Sequence, residues 1–222
     1  PAAKVVIRYN GVDRATPTIQ PPPGTFRKQH GVIADEPLIL FLSRLIPRKG
    51  ADILIDAFAS VCPERGFLAI AGPEADAEYV TGLRKRAVDR GVASRVLFTG
   101  PLYDASKAAA LQDATVFALP SRYENFANVA AEAMVHGVPV IISDACGIRS
   151  LVEGRAGLVV APEVEPLTQA LRALLTDGAL YTKLKEGCRG ATDELSWTSL
   201  AAKMESHYAQ ALVAAAADES PP

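Results

Sequence analysis

Short, continuously apolar runs rich in β-branched residues recur along the chain, separated by longer stretches of helical spacing. This alternation restricts the fold more than any other feature, because it is the pattern of a parallel sheet with crossover helices. Val5-Val6-Ile7, Leu38 to Leu42, Phe67 to Ala71, Val96-Leu97-Phe98, Thr115 to Leu119, Val138 to Ile142 and Gly157 to Val160 read as strands. Several are apolar throughout instead of alternating, as strands covered on both faces must be. Helical spacing occupies 50–62, 76–90, 105–112, 126–136 and 163–176, and Gly91 and Gly137 stand where a glycine ends a helix. The expected fold is α/β, a Rossmann-like doubly wound parallel sheet. Residues 13–37, with Pro17, Pro21, Pro22, Pro23 and Gly24, and the tail Ala214 to Pro222 read as loose. The expected division is an initial strand and Pro-rich connection over 1–37, a Rossmann-like domain over 38–195, and a C-terminal helix with a frayed tail over 196–222.

Composition removes several function classes. The 222 residues carry 23 basic and 25 acidic side chains for a net charge of −2, and 49% are hydrophobic. Dominant disorder is excluded, and so is the concentrated Lys and Arg that nucleic-acid phosphates require, so no nucleic-acid partner is expected. No apolar stretch approaches the roughly 18 to 20 residues that span a bilayer. The start, Pro1-Ala2-Ala3-Lys4, is neither a signal peptide nor a natural start and reads as that of a fragment. Cys62, Cys146 and Cys188 are far apart, with no CxxC and no His at metal spacing. They fit reduced thiols buried as small hydrophobes in a cytosolic protein, and no metal site is expected.

In open α/β sheets, ligands bind beyond the carboxyl ends of the strands, and the segments found there are polar. They are Ser43 to Gly50, Gly72-Pro73-Glu74, Thr99 to Tyr103, and Pro120 to Asn128. Arg44 and Lys49 bracket the turn Leu45-Ile46-Pro47 and precede a helix start near Gly50. A planar fork, a point charge and a helix N-terminus together suit a diphosphate; the alternative is a solvated basic loop, and Arg48 reads as a surface residue. Glu124 and Glu132 lie eight positions apart with a helix starting between them. Eight steps of about 100° would leave them some 80° apart, so they need not form an acid/base pair and instead suit different parts of one ligand. The free amides of Phe126, Ala127 and Asn128 would form an anion or hydroxyl site under Glu124, and a carboxylate such as Glu132 suits vicinal ribose hydroxyls. The alternative makes Glu124 a helix cap and leaves Glu132 exposed.

These residues resemble the retaining glycosyltransferases of family 4 (group 1), which have the two-domain GT-B architecture. Asn10-Gly11-Val12-Asp13 is similar to that family's NGVD turn, Ser43-Arg44-Leu45 with Lys49-Gly50 to its strand-end Arg and Lys, and Gly72-Pro73 to its glycine turn. Phe98-Thr99-Gly100 matches as well. The most specific block runs from Pro120-Ser121-Arg122-Tyr123-Glu124-Asn125-Phe126 through Glu132-Ala133-Met134 to Gly137-Val138-Pro139-Val140 and Asp144, the E-x7-E signature with its flanks. By this resemblance Arg44 and Lys49 would hold the donor diphosphate and, with Glu124, form the catalytic set. Glu124, Asn125, Phe126, Ala127 and Asn128 would hold the donor sugar, Glu132 the nucleotide ribose, and Leu102 and Tyr103 the base.

The resemblance implies hexosyl transfer with retention from an NDP-sugar, most simply a UDP- or GDP-sugar, to an acceptor hydroxyl of a saccharide or glycolipid. No cofactor, metal or protein nucleophile is implied. Only the donor-binding, C-terminal half of a GT-B fold is present; the acceptor-binding N-terminal domain is missing, and residues 196–222 would pack toward it. The implied setting is cytoplasmic, at the inner membrane face, with peripheral membrane association of the full-length enzyme. Glu74 stands where many relatives carry a further glycine. His30, His136 and His207 are not placed to act as a catalytic group and read as core or surface residues. On the last helix, Trp197, Leu200, Met204, Tyr208 and Leu212 share a face that reads as core packing more readily than as an interdomain surface. Other readings are a non-catalytic nucleotide- or sugar-binding module, the donor subunit of a split enzyme, and a nucleotide-sugar 2-epimerase, for which the C2 acid/base groups are not found. A dinucleotide dehydrogenase would need a GxGxxG after a strand, and none is present.

Overall fold

A computed structural model describes residues 8–12, 21–61 and 65–218. Within them, Leu38–Leu42 (β1), Phe67–Ala71 (β2), Val96–Gly100 (β3), Val116–Leu119 (β4), Val140–Ser143 (β5) and Gly157–Val160 (β6) form one parallel sheet of order β3-β2-β1-β4-β5-β6. The register runs from Leu38 opposite Phe67 to Leu42 opposite Ala71, and Phe117 lies opposite Val140. Every residue of β1, β2, β4 and β5 is buried, whereas the edge strands β3 and β6 are half-buried beyond their first residue. Strands walled by helices on both faces have no solvent side for a polar residue to occupy, which is why these runs are continuously apolar. Val5-Val6-Ile7 and Cys62 lie outside the described residues.

The helices are Thr25–His30 (α1), Ala51–Val61 (α2), Ala77–Asp89 (α3), Asp104–Asp113 (α4), Asn128–Val135 (α5), Arg149–Val152 (α6), Val164–Thr176 (α7), Gly178–Asp193 (α8) and Trp197–Asp218 (α9). Gly91 and Gly137 follow α3 and α5 with φ of +73° and +70°, as expected of glycines that end helices. Among the described residues no helix is long and apolar enough to cross a membrane.

Three parts of the fold differ from the sequence expectation. Within 13–37, read as loose, α1 docks firmly: Phe26 is 1% exposed, and Asp113 accepts the amides of Gly24 and Arg27 at 2.7 and 3.1 Å. The Arg27 guanidinium donates to the carbonyls of Asp113, Ile33, Ala34 and Glu36. A six-residue helix held by one Phe and one Arg has too few residues to show a period. His30 ends this helix with its ring 4.3 Å from that of Phe26, and burial lowers its pKa. Helix α8 was not anticipated; Asp177 caps it by accepting the Leu180 amide at 2.9 Å, and its apolar Leu184, Cys188 and Ala191 are buried. On α9 the expected core stripe is largely solvent-facing: Leu200 is 6% exposed, but Trp197, Tyr208 and Leu212 are 58%, 63% and 72% exposed. Of that stripe Leu200, near the helix start, is the buried member. Cys146 and Cys188 are buried free thiols, and burial raises the Cys188 pKa to about 12.

Sheet order places the site. Strand β1 pairs with both β2 and β4, so the chain reverses its direction of travel across the sheet at that boundary. In open sheets crossover loops diverge at such a boundary, so the crevice to look for lies beyond the carboxyl ends of β1 and β4.

Candidate functional site

The loop after β1 reaches the crevice because its neighbours come very close. Gly72 lies so near the Ser43 carbonyl that a Cβ would sit 1.8 Å from the oxygen. The short 3-10 turn Pro47–Lys49 ends at Gly50, which adopts φ +75° and lies where a Cβ would be 2.1 Å from the Pro120 carbonyl oxygen. Only a residue without a side chain permits that left-handed turn and that contact together. The loops after β1 and β4 therefore touch backbone to backbone. Arg122 fastens them: its amide donates to the Arg48 carbonyl at 2.8 Å, and its guanidinium donates to the Pro47 carbonyl and, at 2.8 Å, to the Asp52 carboxylate. Asp52 also accepts the Tyr79 hydroxyl at 2.7 Å. Burial works to raise the Asp52 pKa, but the bonds from Arg122 and Tyr79 outweigh it and hold it low; burial and Asp52 together raise that of Tyr79. Arg48 lies 5.8 Å from the Tyr123 ring centre and is exposed, as expected for a surface residue.

This fastening puts Lys49, 7% exposed, against Glu124, and the two form an ion pair across 75 positions of sequence. Arg44, earlier in the same loop, is exposed, and among the described residues its guanidinium has no hydrogen bond or ion pair.

Glu124 sits in a single parallel bridge with Cys146: its amide donates to the Ala145 carbonyl at 3.2 Å and its carbonyl accepts the Gly147 amide at 3.1 Å. Gly147 approaches so closely that a Cβ would lie 2.0 Å from the Asn125 carbonyl oxygen. Ala127 then takes a left-handed conformation, φ 76° and ψ 60°, and α5 starts at Asn128. For a residue with a Cβ this is costly, about 1 to 2 kcal/mol, and it turns the amides of Phe126 and Ala127 toward Glu124. Burial favours the neutral Glu124 acid, yet the Lys49 hydrogen bond and charge, with those two amides, hold its pKa below the ordinary value of 4.5.

The amides of Phe126 and Ala127, expected to be free, lie close enough to Glu124 to help lower its pKa. An empty helix N-terminus attracts the nearest anion, and here that anion is four residues or fewer away. The side chains of Phe126 and Ala127 are buried at 8% and 4% exposure, so only their backbones face the crevice, while Asn125 and Asn128 are exposed.

Glu132, one turn into α5, is half-buried and forms an ion pair with Lys107 of α4. Leu102 packs half-buried against the core, and Tyr103 is 66% exposed where it caps α4. Glu74 pairs with Arg84 at 2.9 Å on α3. Arg44, Lys49, Glu124, Asn125, Asn128 and Glu132 thus gather at the loops after β1 and β4 and the start of α5. Arg122 and Lys107 were missed as supporting residues. Their partners are distant in sequence, and neither carried a local signal. Among the described residues no group of three or more His, Cys, Asp or Glu could hold a metal ion.

Chemically, among the described residues, Arg44 offers an unpaired and Lys49 a paired cation for an anionic ligand. Glu124, Asn125, Asn128 and Glu132 add acceptors and donors suited to hydroxyl groups.

The family model described as Glycosyl transferases group 1 matches residues 24–190. The chain is 33% identical over 225 residues to the D-inositol 3-phosphate glycosyltransferase of Jonesia denitrificans, covering 96% of this chain and 53% of that protein. It is 34% identical over 219 residues to the GDP-mannose-dependent alpha-(1-6)-phosphatidylinositol monomannoside mannosyltransferase of Mycobacterium tuberculosis, covering 92% and 55%. The chain spans about half the length of the curated relatives it matches. Among solved structures, Anabaena Alr3699/HepE in complex with UDP-glucose superposes with a TM-score of 0.82 at 26% identity, over 95% of this chain and 58% of that one. The C-terminal domain of a group 1 family protein (LpcC) from Francisella tularensis shares the fold at TM-score 0.74 and 19% identity, over 84% of this chain and 100% of that one.

Proposed function

The chain belongs to the group 1 glycosyl transferases, and on that premise we propose that it is the nucleotide-sugar-binding half of a retaining, metal-independent enzyme that transfers a hexosyl group from an NDP-sugar to an acceptor hydroxyl. The observation that carries this reading is the placement of Lys49 against Glu124 at the β1/β4 boundary, with exposed Arg44 in the same loop as Lys49 and Glu132 one turn into α5. Arg44 and Lys49 would bind the donor diphosphate and neutralise the charge that grows on it as the glycosidic bond breaks. Glu124, Asn125, Asn128 and the backbone of Phe126 and Ala127 would hold the sugar hydroxyls, Glu132 the ribose, and Leu102 and Tyr103 the base. The acceptor hydroxyl would attack on the face that the leaving diphosphate vacates and pass its proton to that diphosphate, so no protein nucleophile is needed. Removing one such charge-stabilising group should cost about 3 kcal/mol, or roughly two powers of ten in rate.

Support for the donor class comes from the UDP-glucose of the Anabaena structure and the GDP-mannose in the name of the mycobacterial relative. Residues 38–195 would form the donor domain. The acceptor site would belong to an N-terminal domain outside this chain, so the chain alone should bind donor and transfer little, because acceptor positioning is a large part of the barrier. The phosphatidylinositol monomannoside in the mycobacterial name favours a saccharide or glycolipid acceptor and work at the cytoplasmic membrane face.

Calorimetric titration with UDP, GDP and ADP and their glucose, galactose, mannose and N-acetylglucosamine conjugates tests the reading. One nucleotide series should bind and should weaken in both Arg44→Ala and Glu132→Ala. Binding that neither substitution alters would refute the placement.

A further inference from the structure

The turn that carries Asn125 to Asn128 has two walls already described, the loop after β4 and the Gly147 backbone, and a third wall comes from the far end of the sequence. Tyr9 lays its ring 5.8 Å from that of Phe126, and its hydroxyl is 2.6 Å from the Ser150 hydroxyl on α6. Asn10 Nδ2 donates to Asn128 Oδ1 at 3.0 Å across 118 positions. Gly11 lies flat under Trp197, where a Cβ would be 2.5 Å from the indole ring, and the Val12 amide donates to the Leu195 carbonyl at 3.0 Å. Residues 9–12 are thus a strap, held at one end by α6 and Phe126 and at the other by the start of α9.

The geometry points to Asn10 as a positioning residue that orients the Asn128 amide for the donor sugar, an inference that rests on the function proposed above. An amide side chain has one accepting and one donating end, and either can face a ligand. With its Oδ1 occupied by Asn10, Asn128 has Nδ2 left to offer, so a sugar hydroxyl meets a donor there. Glu124, four positions earlier in the chain, offers only acceptor oxygens, so the two side chains would present complementary ends to the hydroxyls of a sugar. Asn10 itself touches no reacting atom.

The test is titration of the 222-residue chain with UDP, UDP-glucose, GDP and GDP-mannose, reading the affinity of each sugar conjugate against its parent nucleotide. Asn10→Ala should weaken the bound conjugate about threefold to tenfold and leave the parent nucleotide within twofold. Asn10→Asp separates positioning from simple support. Its carboxylate can still bond Asn128, but only by accepting from Nδ2, which turns Oδ1 toward the ligand. The conjugate should therefore weaken in Asn10→Asp as in Asn10→Ala, with an unchanged unfolding midpoint for both. The double variant Asn10→Ala/Asn128→Ala should bind no more weakly than Asn128→Ala. Full conjugate affinity in Asn10→Asp, or additive losses in the double variant, would overturn the inference. If the wild-type chain binds no nucleotide, the proposed function fails and the inference with it.

Discussion

Consider removing the Lys49 and Glu124 charges separately and together. Their side chains are 8% and 17% exposed, so the pair is largely shielded from water and its members are poorly solvated when alone. Two unit charges about 4 Å apart attract by about 4 kcal/mol at an effective dielectric of about 20, and desolvation offsets part of that. Lys49→Met keeps the length of the side chain and leaves Glu124 with the Phe126 and Ala127 amides, so it should cost about 2 kcal/mol. Glu124→Gln leaves a buried ammonium without its counter-charge and should cost more, about 3 to 4 kcal/mol. The double variant has no stranded charge and should lose only about 1 to 2 kcal/mol. The singles therefore overshoot the double by roughly 4 kcal/mol. Urea unfolding at pH 7 reads this directly as changes in midpoint at constant slope.

The same cycle has a pH signature with a definite sign. The Glu124 carboxyl is held below 4.5 in the folded chain, so its contribution to stability is fully present above about 4.5 and fades as pH falls through the lower folded value. Lys49→Met should consequently lose its deficit relative to wild type under acid and show it fully at neutral pH. Single-variant losses that add to within about 0.5 kcal/mol, with a pH-independent difference, would refute the claim that the pair holds the two loops together.

Other substitutions follow from backbone geometry. Ala127→Gly should stabilise the chain by about 1 kcal/mol in thermal or urea unfolding, because it relieves a left-handed alanine. Gly147→Ala should destabilise by at least about 1 to 3 kcal/mol and weaken sugar-nucleotide binding, since its Cβ would lie 2.0 Å from the Asn125 carbonyl oxygen. Gly82→Ala, in mid α3 with nothing within 4 Å of a Cβ, is the contrast and should stabilise by about 0.5 to 1 kcal/mol without touching binding.

What the amino-acid order determined by itself was whatever is local and periodic. The continuously apolar runs at 38–42 and 67–71 became β1 and β2 with those bounds, because a strand walled on both faces excludes polar residues whatever its partners are, and the run at 157–160 became the edge strand β6. Gly91 and Gly137 marked helix ends because a left-handed residue is a local requirement. The order and spacing of Asn10-Gly11-Val12, Arg44, Lys49, Glu124 and Glu132 identified the family. The strand ends alone located the face on which these residues would gather.

Tertiary structure decided the pairings. Nothing local marks Lys49 as the partner of Glu124, Lys107 as that of Glu132, or Asn10 as that of Asn128, because each pair meets only after the sheet order has brought distant loops together. The same holds for the amides of Phe126 and Ala127, whose approach to Glu124 goes with the left-handed turn at Ala127. The α1 helix is held by Asp113, which lies 86 positions beyond Arg27, and Tyr208 and Leu212 are exposed although they share a helical face with buried Leu200. A periodic face states that a helix can bury one side; whether anything lies there to bury it is a property of the assembled fold.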